Sequence, residues 1–332
     1  MIKNKMKNPK FSIIIPVKEF NEYLKESVPI MLNLDYKKFE IIILPDEDKE
    51  IPIYLKNEKI KIIETGKASP AIKRDIGAKK ASGKYVAFID DDAYPKKDWL
   101  AVAEKLFNGK KVAALGGPGI TPESDKLTAK ASGLVFETTF GCGGYSYRYK
   151  PARKSFYVED FPSVNLIIEK KAFLDVGGFA SKFWPGEDTK LCLALINKGY
   201  KIWYSNELIV YHHRRPGIMK HLNQVASYGK HRGYFAKKFP KTSRKLQYFA
   251  PSVFLLGNIG LAILSLLNPL FSTVWVALLL IYFILITLDV FSKTNKPVLG
   301  FLTIILVFLT HLWYGAGFIR GIFTKDLKSK LR

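Results

Sequence analysis

Between Phe249 and Ile319 the only formal charges are Asp289, Lys293 and Lys296, and nothing else in the chain restricts its fold so strongly. Three apolar blocks stand there, about Phe249 to Leu267, Phe271 to Phe291 and Val298 to Ile319. Each approaches the roughly 20 residues that a helix needs to cross a bilayer. The stretch reads as a multi-pass membrane anchor. The basic run before Phe249 puts the preceding part in the cytoplasm by the positive-inside rule. Asn268-Pro269 makes a tight hairpin, and Lys293 and Lys296 bring the chain back to the cytoplasmic side. A third full span would leave Arg320, Lys325, Lys328, Lys330 and Arg332 outside, against the same rule. Either one block is re-entrant or interfacial, or the tail is tolerated outside. Met1 to Lys10 is basic, but Phe11 to Val17 is too short for the apolar core of a signal peptide and is followed by no cleavage site.

The 332 residues carry a net charge of +23, a field that suits an anionic partner. Beside membrane spans, an anionic leaflet and phosphorylated substrates are the candidates, and nucleic acid is set aside because no stacking or groove-reading motif accompanies the charge. Cys142 and Cys192 make no disulfide framework, in keeping with a reducing compartment.

The part before the anchor alternates strand and helix patterns. Phe11 to Val17 and Phe39 to Leu44 are β-branched runs flanking an amphipathic Asn21 to Leu34, a βαβ unit that predicts a parallel sheet. Ile60 to Glu64 is a third strand, and Pro70 to Ala81 has helical spacing that stops at Ser82-Gly83. The fourth strand, Tyr85 to Ile89, runs into Asp90-Asp91-Asp92. Ligands bind at the carboxyl ends of strands in such sheets, so Pro16, Asp46 and Asp90 are expected to cluster at one edge. Three adjacent acids need a counter-charge, and Mg²⁺ or Mn²⁺ with a nucleotide diphosphate supplies it. An acidic turn with an Asp capping the helix near Asp98 is the alternative.

Ser12-Ile13-Ile14-Ile15-Pro16, Phe39 to Ile43 ending at Asp46, Arg74-Asp75-Ile76-Gly77, Gly83-Lys84-Tyr85 and the Asp90-Asp91-Asp92 run resemble the nucleotide-binding half of the family 2 glycosyltransferases. The resemblance implies a GT-A fold: a Rossmann-like α/β architecture with a mixed, mostly parallel sheet and helices on both faces, here followed by C-terminal transmembrane helices. It implies that Pro16, Glu19, Asp46, Arg74, Asp90 and Asp91 line the nucleotide site and that Asp92 binds the metal with Asp90 near it. Lys18-Glu19 stands where the family usually has an aromatic residue and an Asn, and Pro45 replaces the first of two acids.

Residues 137–157 mix glycines and aromatics before Lys150, Arg153 and Lys154, and read either as a flap over phosphate or sugar or as an exposed loop. Asp160 to Ile168, with Asn165, again resembles the family, where this part shapes the sugar pocket. Phe183-Trp184-Pro185-Gly186-Glu187-Asp188 opens a helix whose first turn carries two acids, as the helix dipole favours. Gly177-Gly178-Phe179 upstream and Gly199-Tyr200 downstream lie at the spacing of the family's xED motif, which implies that Asp188 is the general base beside Glu187 and Trp184. Ala194 stands where many relatives have Arg. Two histidines at a strand end, His212 and His213, suit a metal or phosphate contact. By resemblance His212 completes the metal site. Gln224 and Arg232 resemble a Gln and an Arg below the donor site of exopolysaccharide-type members, although the Gln-x-x-Arg-Trp signature of processive synthases is absent.

The expected organisation is a cytoplasmic glycosyltransferase domain over residues 1–220, a basic amphipathic interface segment over 221–248, two or three membrane segments over 249–320 and a basic tail over 321–332. The expected activity is metal-dependent, inverting transfer of a sugar from a nucleotide-diphospho-sugar to a hydroxyl of a lipid-linked saccharide or growing glycan. A phosphate acceptor, as in dolichyl-phosphate mannose synthases, is already ionised and needs no base, so the xED-like acid favours a hydroxyl. Transfer to polyprenyl phosphate and a non-catalytic scaffold that holds anionic membrane lipid or glycan are the alternatives.

Overall fold

The computed structural model describes residues 10–47, 50–181 and 183–327. Met1 to Pro9 and the tail residues Lys328, Lys330 and Arg332 lie outside them. Phe11–Pro16 (β1) and Phe39–Leu44 (β2) are buried at every residue, as the unbroken apolar runs demand of strands covered on two faces. Between them Glu22–Leu32 (α1) starts at Asn21, whose side chain accepts from the Leu24 amide. Ile60–Ile62 (β3), Pro70–Lys80 (α2) and Tyr85–Phe88 (β4) follow. Next come Ala93–Pro95 (β5), Trp99–Gly109 (α3), Ala114–Gly116 (β6), Gly119–Ile120 (β7), Leu127–Glu137 (α4) and Thr139–Cys142 (α5). Phe156–Val158 (β8), Leu166–Glu169 (β9), Lys170–Asp175 (α6), Glu187–Asn197 (α7), Ile202–Tyr204 (β10) and Val210–His212 (β11) continue the chain. Ile218–Lys238 (α8), Pro240–Ser243 (α9), Leu246–Ser265 (α10), Pro269–Phe291 (α11) and Pro297–Phe323 (α12) complete it.

Contacts divide these elements into two units whose boundaries are not those of consecutive segments. The first holds the chain up to Ile120 with Lys150–His212, and the second holds Thr121–Tyr149 with His213–Leu327. Residues 121–149 therefore fold with the C-terminal helices, a long-range partnership that local patterning does not encode.

The first unit is an eight-stranded sheet in the order β3-β2-β1-β4-β9-β6-β10-β8 beside a three-stranded sheet, β5-β11-β7. β3, β2, β1 and β4 are parallel, whereas β9 runs antiparallel between β4 and β6, and β8 is an antiparallel edge. The order reverses between β1 and β4, so the ligand crevice of this α/β sheet lies off the carboxyl ends of those two strands. In the small sheet β11 is antiparallel to β5, with His212 opposite Ala93. That register sets His212 beside the acids that precede β5.

In the second unit α8 and α12 pack backbone to backbone. A Cβ added at Gly229 or Gly233 would stand 2.3 or 2.1 Å from a carbonyl oxygen of α12, and one at Gly317 or Gly321 would stand 2.3 or 2.1 Å from a carbonyl oxygen of α8. Reciprocal small-xxx-small pairs of this kind let two helices approach closely without large side chains. The α8 face that carries Leu222, Val225, Tyr234 and Phe235 is buried, so these aromatics face protein instead of lipid headgroups. Residues 139–149 are neither open loop nor flap: α5 leads into a six-residue 3-10 turn, and Tyr149 stacks on Phe136 at 4.8 Å. Asp289 caps α5 by accepting from the Thr139 and Phe140 amides at 2.7 and 3.1 Å. The three helices α10, α11 and α12 are long and apolar enough to cross a membrane.

Candidate active site

The end of β4 passes directly into Asp90, Asp91 and Asp92, and each acid has a different neighbour. Asp91 Oδ2 accepts from Asn21 Nδ2 at 2.6 Å, so the residue that caps α1 also fixes the middle acid. Asp92 Oδ1 lies 3.2 Å from His212 Nε2. One ligand atom each from Asp90, Asp92 and His212 lies within 4.8 Å of the others, a spacing that fits one metal ion. His213, on the next residue, is held elsewhere, with Nδ1 2.6 Å from Asp125 Oδ1.

Asp90 Oδ1 is 2.5 Å from Arg74 Nη2, and Arg74 Nη1 is 3.0 Å from Glu187 Oε1. Arg74 is buried, so one guanidinium ties the end of β4 to the first turn of α7. Burial opposes its charge, but Asp90 and Glu187 hold its pKa above the ordinary arginine value. Burial, together with the neighbouring charge of Asp188, pushes the Glu187 carboxyl up to about 7, even though Arg74 pulls it down. Glu187 Oε2 has no hydrogen-bond partner among the described residues, which fits a carboxyl that takes up a proton. Asp188 is half-buried, and its Oδ1 accepts from the Thr189 amide at 2.7 Å. Asp188 contributes to the field on Arg74, so the α7 acids and the β4 acids share one charge network.

The turn into α7 requires Gly186, which caps it at φ 110°, in the left-handed region. Trp184, before the cis bond to Pro185, is half-buried ahead of it. Asp75 anchors the preceding loop, with its carboxylate accepting from the Phe179 and Ala180 amides at 2.8 and 3.0 Å.

Of the other residues expected in the site, Pro16 ends β1 and is buried, Asp46 pairs with Lys73, and Glu19 is exposed. Lys73 is the residue that the motif reading passes over. It is buried, and its Nζ also donates to the Val17 and Leu44 carbonyls at 2.7 and 3.2 Å, fixing the ends of β1 and β2 where Asp46 emerges. Its position beside Arg74 was the available signal. Asn165 is fully buried and spends its side chain on the Leu208 and Pro118 carbonyls and the Trp99 indole N–H. Its direct contacts are with the core, so it braces the strand ends. Gln224 and Arg232 lie on α8 in the second unit, where Gln224 donates to the Tyr228 hydroxyl and Arg232 covers the Tyr248 ring at 4.8 Å.

Residues 12–173 match the family described as Glycosyl transferase family 2. A Methanococcus voltae relative, dolichyl N-acetyl-alpha-D-glucosaminyl phosphate 3-beta-D-2,3-diacetamido-2,3-dideoxy-beta-D-glucuronosyltransferase, is 25% identical over 330 residues, 94% of this chain and 96% of that one. The pre-mycofactocin glycosyltransferase of Mycobacterium tuberculosis is 28% identical over 179 residues, 53% of this chain but only 37% of the relative. Among solved structures, the mannosyltransferase PcManGT from Pyrobaculum calidifontis, in complex with GDP-Man and Mn2+, superposes with a TM-score of 0.56 at 15% identity over 97% of this chain and 89% of its own, a likeness of fold.

Proposed function

The chain carries a family 2 glycosyltransferase domain of GT-A fold, and from that premise we propose that it moves a sugar, with inversion, from a nucleotide-diphospho-sugar to a hydroxyl of a lipid-linked saccharide. The observation that carries this reading is the charge network in which Asp90, held by Arg74, shares one field with Glu187 and Asp188. Two carboxylates and an imidazole within 4.8 Å suit Mn²⁺ or Mg²⁺, with the nitrogen donor favouring Mn²⁺. When bound, such an ion neutralises the charge that develops on the leaving diphosphate.

The protein groups then divide the work. Asp90, Asp92 and His212 hold the ion, and Asp46, at the end of β2 beside Lys73, offers an acceptor to the nucleotide. Glu187, whose pKa is pushed up to about 7, accepts the proton that two adjacent acids cannot both refuse, and so leaves the charge on Asp188. Asp188 takes the proton of the acceptor hydroxyl as it attacks the anomeric carbon from the face opposite the leaving group, and that single displacement inverts the configuration. An ionised phosphate acceptor would give this base nothing to do. The printed activity of the Methanococcus relative, on a dolichyl-linked sugar phosphate, supports the same acceptor class. The test is turnover without acceptor: the purified full chain should hydrolyse UDP- or GDP-sugars slowly with Mn²⁺ and stop with EDTA. A non-catalytic scaffold would show no metal-dependent turnover with any donor.

For the anchor we infer two spans and one interfacial helix. In their most apolar windows α10 and α11 are 6% and 11% buried, whereas α12 is 44% buried. The exposed large apolar residues of α12, Val298, Phe301, Ile305, Trp313 and Phe323, fall on one stripe. Its other face packs on α4 through Ile304 and Val307, and on α8, which carries Lys220, Lys230, Arg232, Lys237 and Lys238. Hydrocarbon is a costly place for those charges, so the helix seated on α8 lies at the headgroup boundary. Two spans return Lys325 to the cytoplasm, as the positive-inside rule prefers. In sealed vesicles an impermeant maleimide should label Lys25→Cys and Lys325→Cys from one side and Leu267→Cys from the other. Labelling of Lys325→Cys with Leu267→Cys would establish three spans instead.

A further inference from the structure

The second unit gathers arginines around tyrosines at a place that the transfer chemistry above does not use. Tyr145 and Tyr248 stack at 5.7 Å, with Arg148 over the first ring at 4.4 Å and Arg232 over the second at 4.8 Å. Arg214, which is buried, lies over Tyr149 at 5.1 Å. The three arginines belong to one cluster, because Cys142 and Tyr149 each feel Arg148 and Arg214, and Tyr314 feels Arg232 together with Tyr145 and Cys142. Only cationic groups act on the Cys142 thiol, and burial still pushes it up to about 12, so the cluster is dry. The Tyr314 hydroxyl is shut off from solvent and has no hydrogen-bond partner among the described residues.

Rings stacked on guanidinium faces fix the planes and turn the N–H edges outward, the geometry that recognises phosphate oxygens. Three like charges in a dry cluster raise one another's cost, and an anion among them relieves it. The same unit carries the helices apolar enough to enter a membrane, so the anion arrives on a lipid.

We propose that Arg148, Arg214, Arg232 and the Tyr314 hydroxyl form a site for the phosphate of a membrane lipid, occupied by the phosphate that links the acceptor saccharide to its carrier. The occupant rests on the lipid-linked acceptor reading given above, whereas the phosphate site does not.

The experiment titrates the detergent-solubilised full chain with polyprenyl monophosphate, with phosphatidylglycerol and with phosphatidylcholine as the neutral control. Intrinsic fluorescence reads binding. Arg148→Gln and Arg232→Gln should each weaken binding of the monophosphate by about ten- to a hundred-fold, as loss of a charge-assisted hydrogen bond does. Tyr314→Phe, which removes one oxygen and leaves the packing, should weaken it by about three- to ten-fold. Loss confined to polyprenyl monophosphate supports the carrier as occupant, and equal loss for phosphatidylglycerol overturns that assignment in favour of a general headgroup site. Unchanged affinity for both lipids in Tyr314→Phe, and in an Arg148→Gln/Arg232→Gln chain that melts like wild type, overturns the site itself. Metal-dependent donor hydrolysis by wild type, measured in parallel, reports on the transferase reading separately.

Discussion

Asp188→Asn is expected to lower sugar transfer by roughly 10²- to 10⁴-fold, the usual worth of a positioned base, while donor affinity stays within about threefold. The substitution keeps the shape of the side chain and an oxygen able to accept from the Thr189 amide at 2.7 Å, so the start of α7 stays in place. It removes the charge that helps raise Glu187, and the Glu187 pKa should fall from about 7 toward the ordinary carboxylate range. The fall is in turnover and not in binding, because Asp90, Asp92 and His212 are untouched. Release of nucleoside diphosphate with acceptor present measures the first quantity, and competition by the free nucleotide measures the second. Transfer within tenfold of wild type would remove Asp188 from the role of base.

Arg74→Met is expected to be the most damaging single change to the first unit. Arg74 is buried, and it is the counter-charge to Asp90 at 2.5 Å and to Glu187 at 3.0 Å. Breaking a buried pair by removing one partner costs about 3–5 kcal/mol, because it strands the other charge. At about 2–4 °C per kcal/mol for a unit of this size, the melting temperature should fall by about 6–20 °C. Arg74→Lys should recover little, since an ammonium cannot present two N–H edges to two carboxylates on different elements. Thermal unfolding of the full chain checks both. A shift below about 2 °C for Arg74→Met would show that the bridge is dispensable.

The parts that local pattern encodes were legible. β1, β2 and β4 follow from β-branched runs, α1 and α2 from Asn21 and Ser69 with their periodic apolar positions, and the acids at the end of β4 from the run itself. The approach of His212 to Asp92 depends on a register between β11 and β5, strands more than a hundred residues apart, and a strand-end histidine is only its local trace. The double attachment of Arg74 was not legible, because Glu187 lies 113 residues away and the helix that carries it must first dock. Glycine and aromatic composition made residues 139–149 read as loop, yet Asp289 caps their helical turn from a distance of 150 residues. Hydropathy also treats α12 like α10 and α11, since it cannot distinguish an apolar face turned to protein from one turned to lipid.

The central claim is that acids on β4 and α7 serve one metal-assisted donor site. The measurement that meets it most directly is thermal stabilisation of the purified full chain by a panel of nucleotide-sugars, with and without Mn²⁺, in wild type and Asp92→Ala. The account predicts that one donor raises the melting temperature only when Mn²⁺ is present and that Asp92→Ala abolishes the rise. An equal rise without metal, or an undiminished one in Asp92→Ala, would contradict it.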